Sequence, residues 1–282
     1  MEAQRDRYSI RELLNILKVS SSGYYDRRSR EPSVRAQQDA HLLEQIRGIH
    51  TASRRCYGSP RVTAELRDQG HCVGEKRVAR LMKAHGIRAR HRRKYKPCTD
   101  SAHTWPVAAN VLNRCFRMAF PDRGWVADIT YIATGEGWLY LAVIMDLYSR
   151  RIVGWAVGES MTQELTMAAL RMALQQRCPE PGLLHHSDRG RQYACADYQA
   201  MLSRYGIQCS MSRRGNCRDN AAMESFFSSF KREWIFGRTL ETREDGKRAV
   251  FDYIEVFYNR QRRHSTVGQI SPVDFEKRHT VP

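Results

Sequence analysis

The second half of the chain alternates short apolar runs with longer amphipathic stretches. Runs rich in β-branched and aromatic residues are typical of strands, and apolar residues at every third or fourth position are typical of helices. We expect five strands, over residues 125–132, 138–148, 151–158, 183–187 and 207–211. We expect four helices, over about 162–177, 195–205, 220–236 and 243–263. Because the first three strands follow one another through short turns and the later ones alternate with helices, the pattern predicts an α/β fold with a mixed five-stranded sheet.

The first part of the chain has the periodicity of short helices. In residues 8–28 an apolar helical stretch is followed by a serine-rich turn with a glycine and by a second short stretch, which is the outline of a helix-turn-helix. A further helix is predicted over 39–49, and residues 58–86 contain two more around Gly70. We therefore expect an all-α region over residues 1–97, with helix-turn-helix-like segments at 8–28 and 58–86.

A polar segment without periodicity, residues 98–112, follows this helical region. We interpret it as a linker. The second domain would then extend over residues 113–282 and end in a helical extension.

The charge of the chain is concentrated in its first part. The net charge is +17, and residues 1–118 hold 25 Lys and Arg against 11 Asp and Glu, whereas residues 119–282 hold 22 against 19. A basic surface of this size favours nucleic acid as the partner. We therefore expect residues 1–97 to bind DNA.

Two basic segments of the first part are candidates for contact with DNA phosphates. The helix predicted over residues 76–85 has a basic face opposite an apolar one, formed by Lys76, Arg77, Arg80 and Lys83. The alternative is an ordinary solvated helix. In the tail over residues 88–96, six of nine residues are basic, namely Arg88, Arg90, Arg92, Arg93, Lys94 and Lys96. Such a density is better explained by phosphate contact than by folding.

Three acidic residues of the second part lie within or beside segments that the pattern predicts to be buried, where an acidic side chain is unexpected. Asp128 interrupts a predicted buried strand, and a lone buried carboxylate is costly unless it is paired or bound to a metal. Asp188 ends a short apolar run just before Gly190, and Glu224 lies on the rim of an apolar helix stripe. Each acid taken alone is more often structural than catalytic. The combination, with 59 residues between the first two and 35 between the last two, is specific.

Lys231 follows Glu224 by seven residues on the same predicted helix. At 100° per residue, two residues seven positions apart lie within about 20° of each other. Both side chains therefore project from one rim of the apolar stripe, and Asn220 is a plausible N-cap for this helix. A surface salt bridge between Glu224 and Lys231 is the alternative to a functional pair.

These motifs resemble those of the DDE transposases and retroviral integrases. The resemblance is strongest to the catalytic-frame protein (OrfB) of the IS-three group of bacterial insertion sequences. It is carried by WVADITYI, GWLYLAVIMDLYSRRIVGW, HSDRGRQY, SRRGNCRDNAAMESFF, YNRQRRHS and SPVDFE, which begin at residues 125, 137, 186, 212, 258 and 271. It covers the whole second part and, more loosely, the first part.

The resemblance implies a ribonuclease-H-like fold in which Asp128, Asp188 and Glu224 converge. It implies DNA nicking at element ends and joining of the freed 3′-hydroxyl to target DNA. Carboxylates suit Mg²⁺ or Mn²⁺ rather than zinc, and two ions about 3.5–4 Å apart serve both steps. It also implies that Lys231 contacts DNA near the cleavage point and that the basic run 258–264 follows DNA. The implied partners are double-stranded DNA with terminal inverted repeats, target DNA, further copies of the chain and an upstream-frame (OrfA) protein.

Two other functions share part of this pattern. A ribonuclease-H-fold nuclease such as a junction resolvase would use the same acids but cleave without joining. A non-enzymatic regulator would bind DNA through the basic first part and tolerate loss of the acids. The helical DNA-binding segments argue against the first alternative, and the intact acids argue against the second.

The cysteines and the absence of long apolar runs indicate the cellular compartment. Eight cysteines occur without a Cys-x-x-Cys pair, so we predict free thiols and no zinc site. No signal peptide or membrane-length apolar run is visible. We expect a bacterial cytoplasmic protein that associates with the nucleoid when it is bound to DNA.

Overall fold

The computed structural model describes residues 8–90 and 105–279. The chain divides into two compact units, Met1–Arg88 and Ala89–Pro282, and each is described here by itself.

Over its described residues, 8–88, the first unit contains five helices. They are α1 (Ile10–Leu17), α2 (Ser21–Ser29), α3 (Val34–Ala52), α4 (Ser59–Asp68) and α5 (Glu75–Ala84). Ser9 starts α1 with a capping box, since its hydroxyl accepts from the Glu12 amide while the Glu12 carboxylate accepts from the Ser9 amide. The Ser20 hydroxyl accepts from the Gly23 amide and caps α2 in the same way. Serine caps therefore explain where α1 and α2 begin.

The apolar faces of α3, α4 and α5 form the core of this unit. Ile46, Val62, Leu66 and Val78 are fully buried between these helices. Lys76 and Lys83 lie on the opposite, exposed side of α5. The predicted division of this helix into an apolar face and a basic face is confirmed.

The second unit contains one mixed five-stranded sheet. Its strands are β1 (Gly124–Thr134), β2 (Gly137–Asp146), β3 (Ile152–Gly158), β4 (Leu184–Ser187) and β5 (Gln208–Met211). The strand order is β3-β2-β1-β4-β5, in which β1, β2 and β3 pair antiparallel, β4 runs parallel to β1 and β5 runs parallel to β4. The predicted α/β fold class, with a ribonuclease-H-like mixed sheet and flanking helices after an all-α region, is confirmed.

The helices of the second unit are α6 (Gln163–Arg177), α7 (Arg191–Ala194), α8 (Ala196–Arg204), α9 (Ala221–Phe230), α10 (Arg243–Phe251) and α11 (Pro272–His279). The helix expected over 195–205 corresponds to α8, and the extended Cys195 separates it from the short α7, which was not predicted. The π-helical turns Lys231–Ile235 and Asp252–Tyr258 continue α9 and α10, so the last helix ends before residue 263. The sequence patterns did not predict α11.

One face of the sheet packs closely on α6. Trp125, Ala127 and Ala142 project from this face into an apolar cluster with Leu170. Gly154 lets β3 approach the helix, because a Cβ atom built there would lie 2.3 Å from the Ala169 carbonyl oxygen. The sheet is therefore fixed against α6 at backbone distance.

The C-terminal helix α11 is tied to the other elements by a buried carboxylate. Glu276 accepts hydrogen bonds from the Ser149 hydroxyl at 2.8 Å, from Arg151 at 2.7 Å and from Arg177 at 3.0 Å. Burial alone would raise the pKa of Glu276, but the charge of Arg177 and the bonds from Arg151 and Ser149 lower it.

Within residues 8–90 and 105–279, no helix combines the length and the apolar character needed to cross a membrane.

Candidate active site

Asp128 and Asp188 are brought side by side by the pairing of β1 with β4. In this parallel pair Trp125 is opposite His185 and Val126 is opposite His186. The same register continued by two residues places Asp188, just beyond the end of β4, opposite Asp128. Neighbouring strands are about 4.8 Å apart, so the two carboxylates meet at one edge of the sheet.

Glu224 is positioned by the apolar stripe of α9. The predicted stripe is confirmed, since all of its members are buried, namely Met223, Phe226, Phe227, Phe230 and Trp234. Phe226 meets Tyr258 edge-on with ring centroids 4.8 Å apart, and Phe230 lies 5.0 Å from Tyr253. These ring contacts fix the rotation of α9 about its axis and leave Glu224 half-buried on the rim of the stripe.

Asn220 does not cap α9, contrary to the prediction from sequence. Its side chain makes no capping hydrogen bond, and its amide nitrogen instead donates to the backbone carbonyl of Ala127 at 3.0 Å. Ala127 immediately precedes Asp128 on β1. Asn220 therefore joins the start of the helix that carries Glu224 to the strand that carries Asp128.

Asp219 holds the segment before α9 in place. This buried carboxylate accepts hydrogen bonds from the backbone and guanidinium of Arg213, from Arg114 at 2.8 Å and from the Asn110 side chain at 2.9 Å. The bonds from Arg213, followed by those from Arg114, hold the pKa of Asp219 well below its usual range. The segment that leads into α9 is thus anchored by a permanently charged residue.

The three acids interact through their charges. Burial raises the pKa of Asp128 well above its usual value, and the negative charges of Asp188 and Glu224 raise it further. The backbone amide of Ile129, which donates to Asp128 at 2.8 Å, and the positive charge of Lys231 oppose this rise. Asp128 is therefore the acid that lies within electrostatic reach of both others.

This donor set fits a hard divalent cation. The candidate ligands are carboxylate oxygens, which Mg²⁺ and Mn²⁺ prefer, and a cation would relieve the repulsion that raises the pKa of Asp128. In the described ranges 8–90 and 105–279, no group of three His, Cys, Asp or Glu side chains is arranged to hold one metal ion.

Gly190 gives Asp188 the space that it occupies. Its backbone amide donates to the Asp188 carboxylate at 2.8 Å. A Cβ atom at position 190 would lie 2.9 Å from the same oxygen and 3.1 Å from the Gln192 side-chain oxygen. A larger residue at this position would displace the Asp188 carboxylate, so glycine suits the close backbone contact that orients it.

Lys231 lies at the end of α9 and contacts β1. Its ammonium nitrogen is 4.6 Å from the ring centroid of Tyr131, and its charge lowers the pKa of Asp128. An ammonium over an aromatic face is held there by the quadrupole of the ring. Lys231 is thus the cation that reaches towards the acid cluster from the helix of Glu224.

The basic residues predicted to contact DNA have different surroundings. Arg77 and Arg80 form ion pairs with Asp39 of α3 at 2.7 and 2.6 Å, and the hydrogen bonds from Arg80 and Arg77 lower the pKa of that carboxylate. The other described members are exposed, namely Lys76, Lys83, Arg88 and Arg90. Arg92, Arg93, Lys94 and Lys96 lie outside the described residues.

The expectation that the basic run 258–264 follows DNA is wrong for Arg262. Its side chain is buried and donates to both Glu233 oxygens at 2.6 and 2.7 Å and to the Ser229 hydroxyl at 3.1 Å. Arg262 therefore fixes the π-helical continuation of α9 from the C-terminal side.

Tyr193 was not singled out from the sequence. It lies on α7 and is buried, and its hydroxyl has no hydrogen-bond partner among the described residues. Burial raises its pKa well above the usual value, and the charges of Asp128 and Asp188 add to the rise. An apolar pattern with a terminal tyrosine gives no signal that its hydroxyl is near two acids, so only the fold reveals it.

We predict that Asn220→Ala lowers the free energy of unfolding by about 1–3 kcal/mol, because the buried carbonyl of Ala127 loses its side-chain donor. The loss should lie near the lower limit, since the Asn220 carbonyl oxygen is itself buried without a partner in the described part of the chain. Chemical denaturation measures the change. Ser225→Ala, at an exposed position of the same helix, is the control and should change stability by less than about 0.5 kcal/mol. Equal stability of the two variants would contradict the prediction.

Comparison with protein families gives three matches along the chain. An HTH-like domain matches residues 37–95, and two models described as integrase core domains match residues 119–217 and 224–279. The last two include the strands and the helix that carry the three acids.

Individual relatives match almost the whole chain. The insertion element IS600 uncharacterized 31 kDa protein of Shigella sonnei is 46% identical over 267 residues, which are 95% of this chain and 98% of that protein. Among solved structures, the simian T-cell lymphotropic virus intasome in complex with PP2A regulatory subunit B56 gamma contains a chain with 14% identity and a TM-score of 0.49, over 84% of this chain and 76% of that one. A likeness at that level carries no argument.

The transposase InsF for insertion sequence IS3A of Escherichia coli (strain K12) is 43% identical over 282 residues, which are 99% of this chain and 98% of that protein. The chain therefore belongs to the IS3-type family of insertion-sequence transposases, with an HTH-like domain followed by an integrase core.

Proposed function

We propose that the chain is a DDE-type transposase that nicks DNA at the ends of an insertion element and joins the freed 3′-hydroxyl to target DNA. The observation that carries the proposal is the placement of the acids: the register of β1 and β4 sets Asp188 opposite Asp128, and burial together with the charges of Asp188 and Glu224 raises the pKa of Asp128. In a chain whose relatives are transposases, such a cluster is the natural site of phosphodiester chemistry.

In this proposal, Asp128, Asp188 and Glu224 hold two divalent cations, Mg²⁺ with Mn²⁺ as a substitute. When bound, the cations would activate the attacking oxygen and neutralise charge on the leaving oxygen. The acids orient this site through their own supports, which are the amide of Ile129 for Asp128 and the amide of Gly190 for Asp188. Lys231 binds a phosphate or a base next to the cleavage point. Water is the nucleophile in nicking and the 3′-hydroxyl is the nucleophile in joining.

The first unit supplies affinity for DNA in this proposal. Its exposed Lys76, Lys83 and Arg88 contact phosphates, while Asp39 orients Arg77 and Arg80 on α5. We also propose Arg90, Arg92, Arg93, Lys94 and Lys96 as phosphate contacts. We propose DNA-binding over residues 1–97, a linker at 98–112 and the integrase core with its helical extension at 113–282.

Two element ends must be held together, so further copies of the chain and an upstream-frame protein are the proposed partners on the bacterial nucleoid.

We predict that Asp128→Asn, Asp188→Asn and Glu224→Gln each reduce nicking and joining at least about 100-fold, because each removes a charged metal ligand with little change in size. DNA affinity should stay within about twofold, since phosphate contacts are made elsewhere. The assay uses labelled duplex from the element ends with Mg²⁺ or Mn²⁺.

Glu164→Gln is the matched control, because its side chain is 70% exposed and the charge change is the same. Near wild-type joining by any one of the three acid variants would remove that residue from the proposed site. Cleavage without joining by the unaltered chain would favour the nuclease alternative. Binding alone, with no products, would favour the regulator.

We predict that Lys231→Ala slows joining and weakens binding of element-end DNA, whereas Lys231→Arg keeps much of the activity, because charge and reach matter more than donor geometry. If Lys231 served only as a surface partner of Glu224, its loss would cost about 0–1 kcal/mol of stability and leave joining normal. Melting temperature and joining rate, measured on one preparation of each variant, distinguish the two roles.

We predict that the pair Lys76→Ala and Lys83→Ala, made together, lowers the slope of log affinity against log salt by about 0.9 for each phosphate contact that is lost. Salt titrations of the full chain with duplex DNA measure the slope. The control pair Lys247→Ala and Lys277→Ala removes the same charge from exposed positions of the second unit. An equal decrease with both pairs would mean that net charge, and not the face of α5, sets the affinity.

A further inference from the structure

An exposed aromatic side chain near the candidate active site has no role in the function described above. Trp138, the second residue of β2, is 51% exposed although it is among the largest apolar side chains. Its ring contacts Tyr131 edge-on, with centroids 4.8 Å apart and planes at 81°. Exposed indole rings are enriched where proteins bind other molecules, because they combine a large apolar surface with a polar edge.

The Trp138 ring is the outer member of a series that leads to the acids. Tyr131 lies between Trp138 and the ammonium of Lys231, which is 4.6 Å from its centroid. Lys231 in turn acts electrostatically on Asp128. We call Trp138, Tyr131 and Lys231 the aromatic-cation cluster.

The strand register gives the distance from this cluster to the acids. On β1, Asp128 is opposite Val143, Tyr131 is opposite Tyr140 and Ala133 is opposite Trp138. Tyr131 is three residues from Asp128, which is about 10 Å along a strand. Trp138 is opposite Ala133, five residues along β1 from Asp128, which is about 17 Å and equals about five nucleotide steps at 3.4 Å each. Alternation places Asp128 and Tyr131 on opposite faces of β1, and the Lys231 ammonium, which lies over the Tyr131 ring, is within electrostatic reach of Asp128.

We propose that Trp138, held edge-on by Tyr131, stacks on an unpaired base of the DNA strand about five nucleotides from the cleavage point, while Lys231 binds a phosphate between that base and the cleavage point. This inference rests on the function proposed above. A cation beside two aromatic rings is the combination with which proteins hold single-stranded nucleic acid. A protein partner is less consistent with this position, because in the function proposed above the surface next to the acids receives DNA, and Lys231 supplies a positive charge beside the rings.

The experiment measures binding of the full chain without divalent metal, so that it does not depend on catalysis. The probe is a short element-end duplex in which the bases within about five nucleotides of the cleavage site are unpaired and the farthest of them is 2-aminopurine, whose fluorescence is quenched by stacking. The unaltered chain should quench it. Trp138→Leu keeps an apolar side chain but should lose the quenching and about tenfold in affinity for this probe. Trp138→Phe should retain most of both.

Phe120→Ala is the matched control, since Phe120 is 66% exposed and belongs to no ring contact of the cluster. It should leave quenching and affinity unchanged, and a fully paired duplex should bind all variants alike. Equal quenching by Trp138→Leu and the unaltered chain would overturn the proposal. A change in self-association of Trp138→Leu without DNA would overturn it as well, because Trp138 would then be a contact between copies. Absence of joining by the unaltered chain with metal would reject the proposed function instead.

Discussion

Mutual repulsion of three carboxylates is the constraint on which the second unit depends. Asp128 is close enough to Asp188 and Glu224 for both to raise its pKa, and burial acts in the same direction. Such a cluster is unfavourable in a chain without bound cations, so the surrounding structure must hold it. The parallel register of β1 and β4 fixes Asp128 beside Asp188, and the bond from Asn220 to the Ala127 carbonyl fixes the start of the third acid's helix. The free energy that offsets this repulsion therefore comes from contacts made by other, non-acidic side chains and by the backbone.

The C-terminal half of the second unit can be understood as support for α9. The rings of Tyr253 and Tyr258 pack against the apolar stripe below Glu224. The bidentate pair of Arg262 with Glu233 binds the π-helical turn that follows. Loss of either partner would leave a buried charge unpaired, which costs about 3–5 kcal/mol. Segments far along the chain thus determine the orientation of the helix that carries Glu224.

The sequence predicts those features that depend on local periodicity. Five strands and the apolar stripe of α9 could be recognised because β-branched runs and a 3.6-residue repeat report burial directly. The roles of Asn220 and Arg262 could not, since each depends on tertiary contacts. Asn220 follows a helix-start pattern but binds a strand 93 residues away, and Arg262 belongs to a basic run but is buried against Glu233. Sequence patterns predict that a polar residue caps a helix or faces solvent. These predictions fail where the side chain instead bonds to an element that is distant in sequence.

The charge distribution adds a further constraint on how DNA is bound. The acids that would carry out the chemistry repel the phosphate backbone, so the affinity of the second unit for DNA cannot come from charge alone. Residues 119–282 are nearly balanced in charge, while residues 1–118 hold most of the excess. Stacking on rings such as Trp138 is insensitive to this repulsion, because a base carries no charge. An integrase core built around three carboxylates therefore benefits from uncharged contacts near its site, and a basic helical region can supply the remaining attraction.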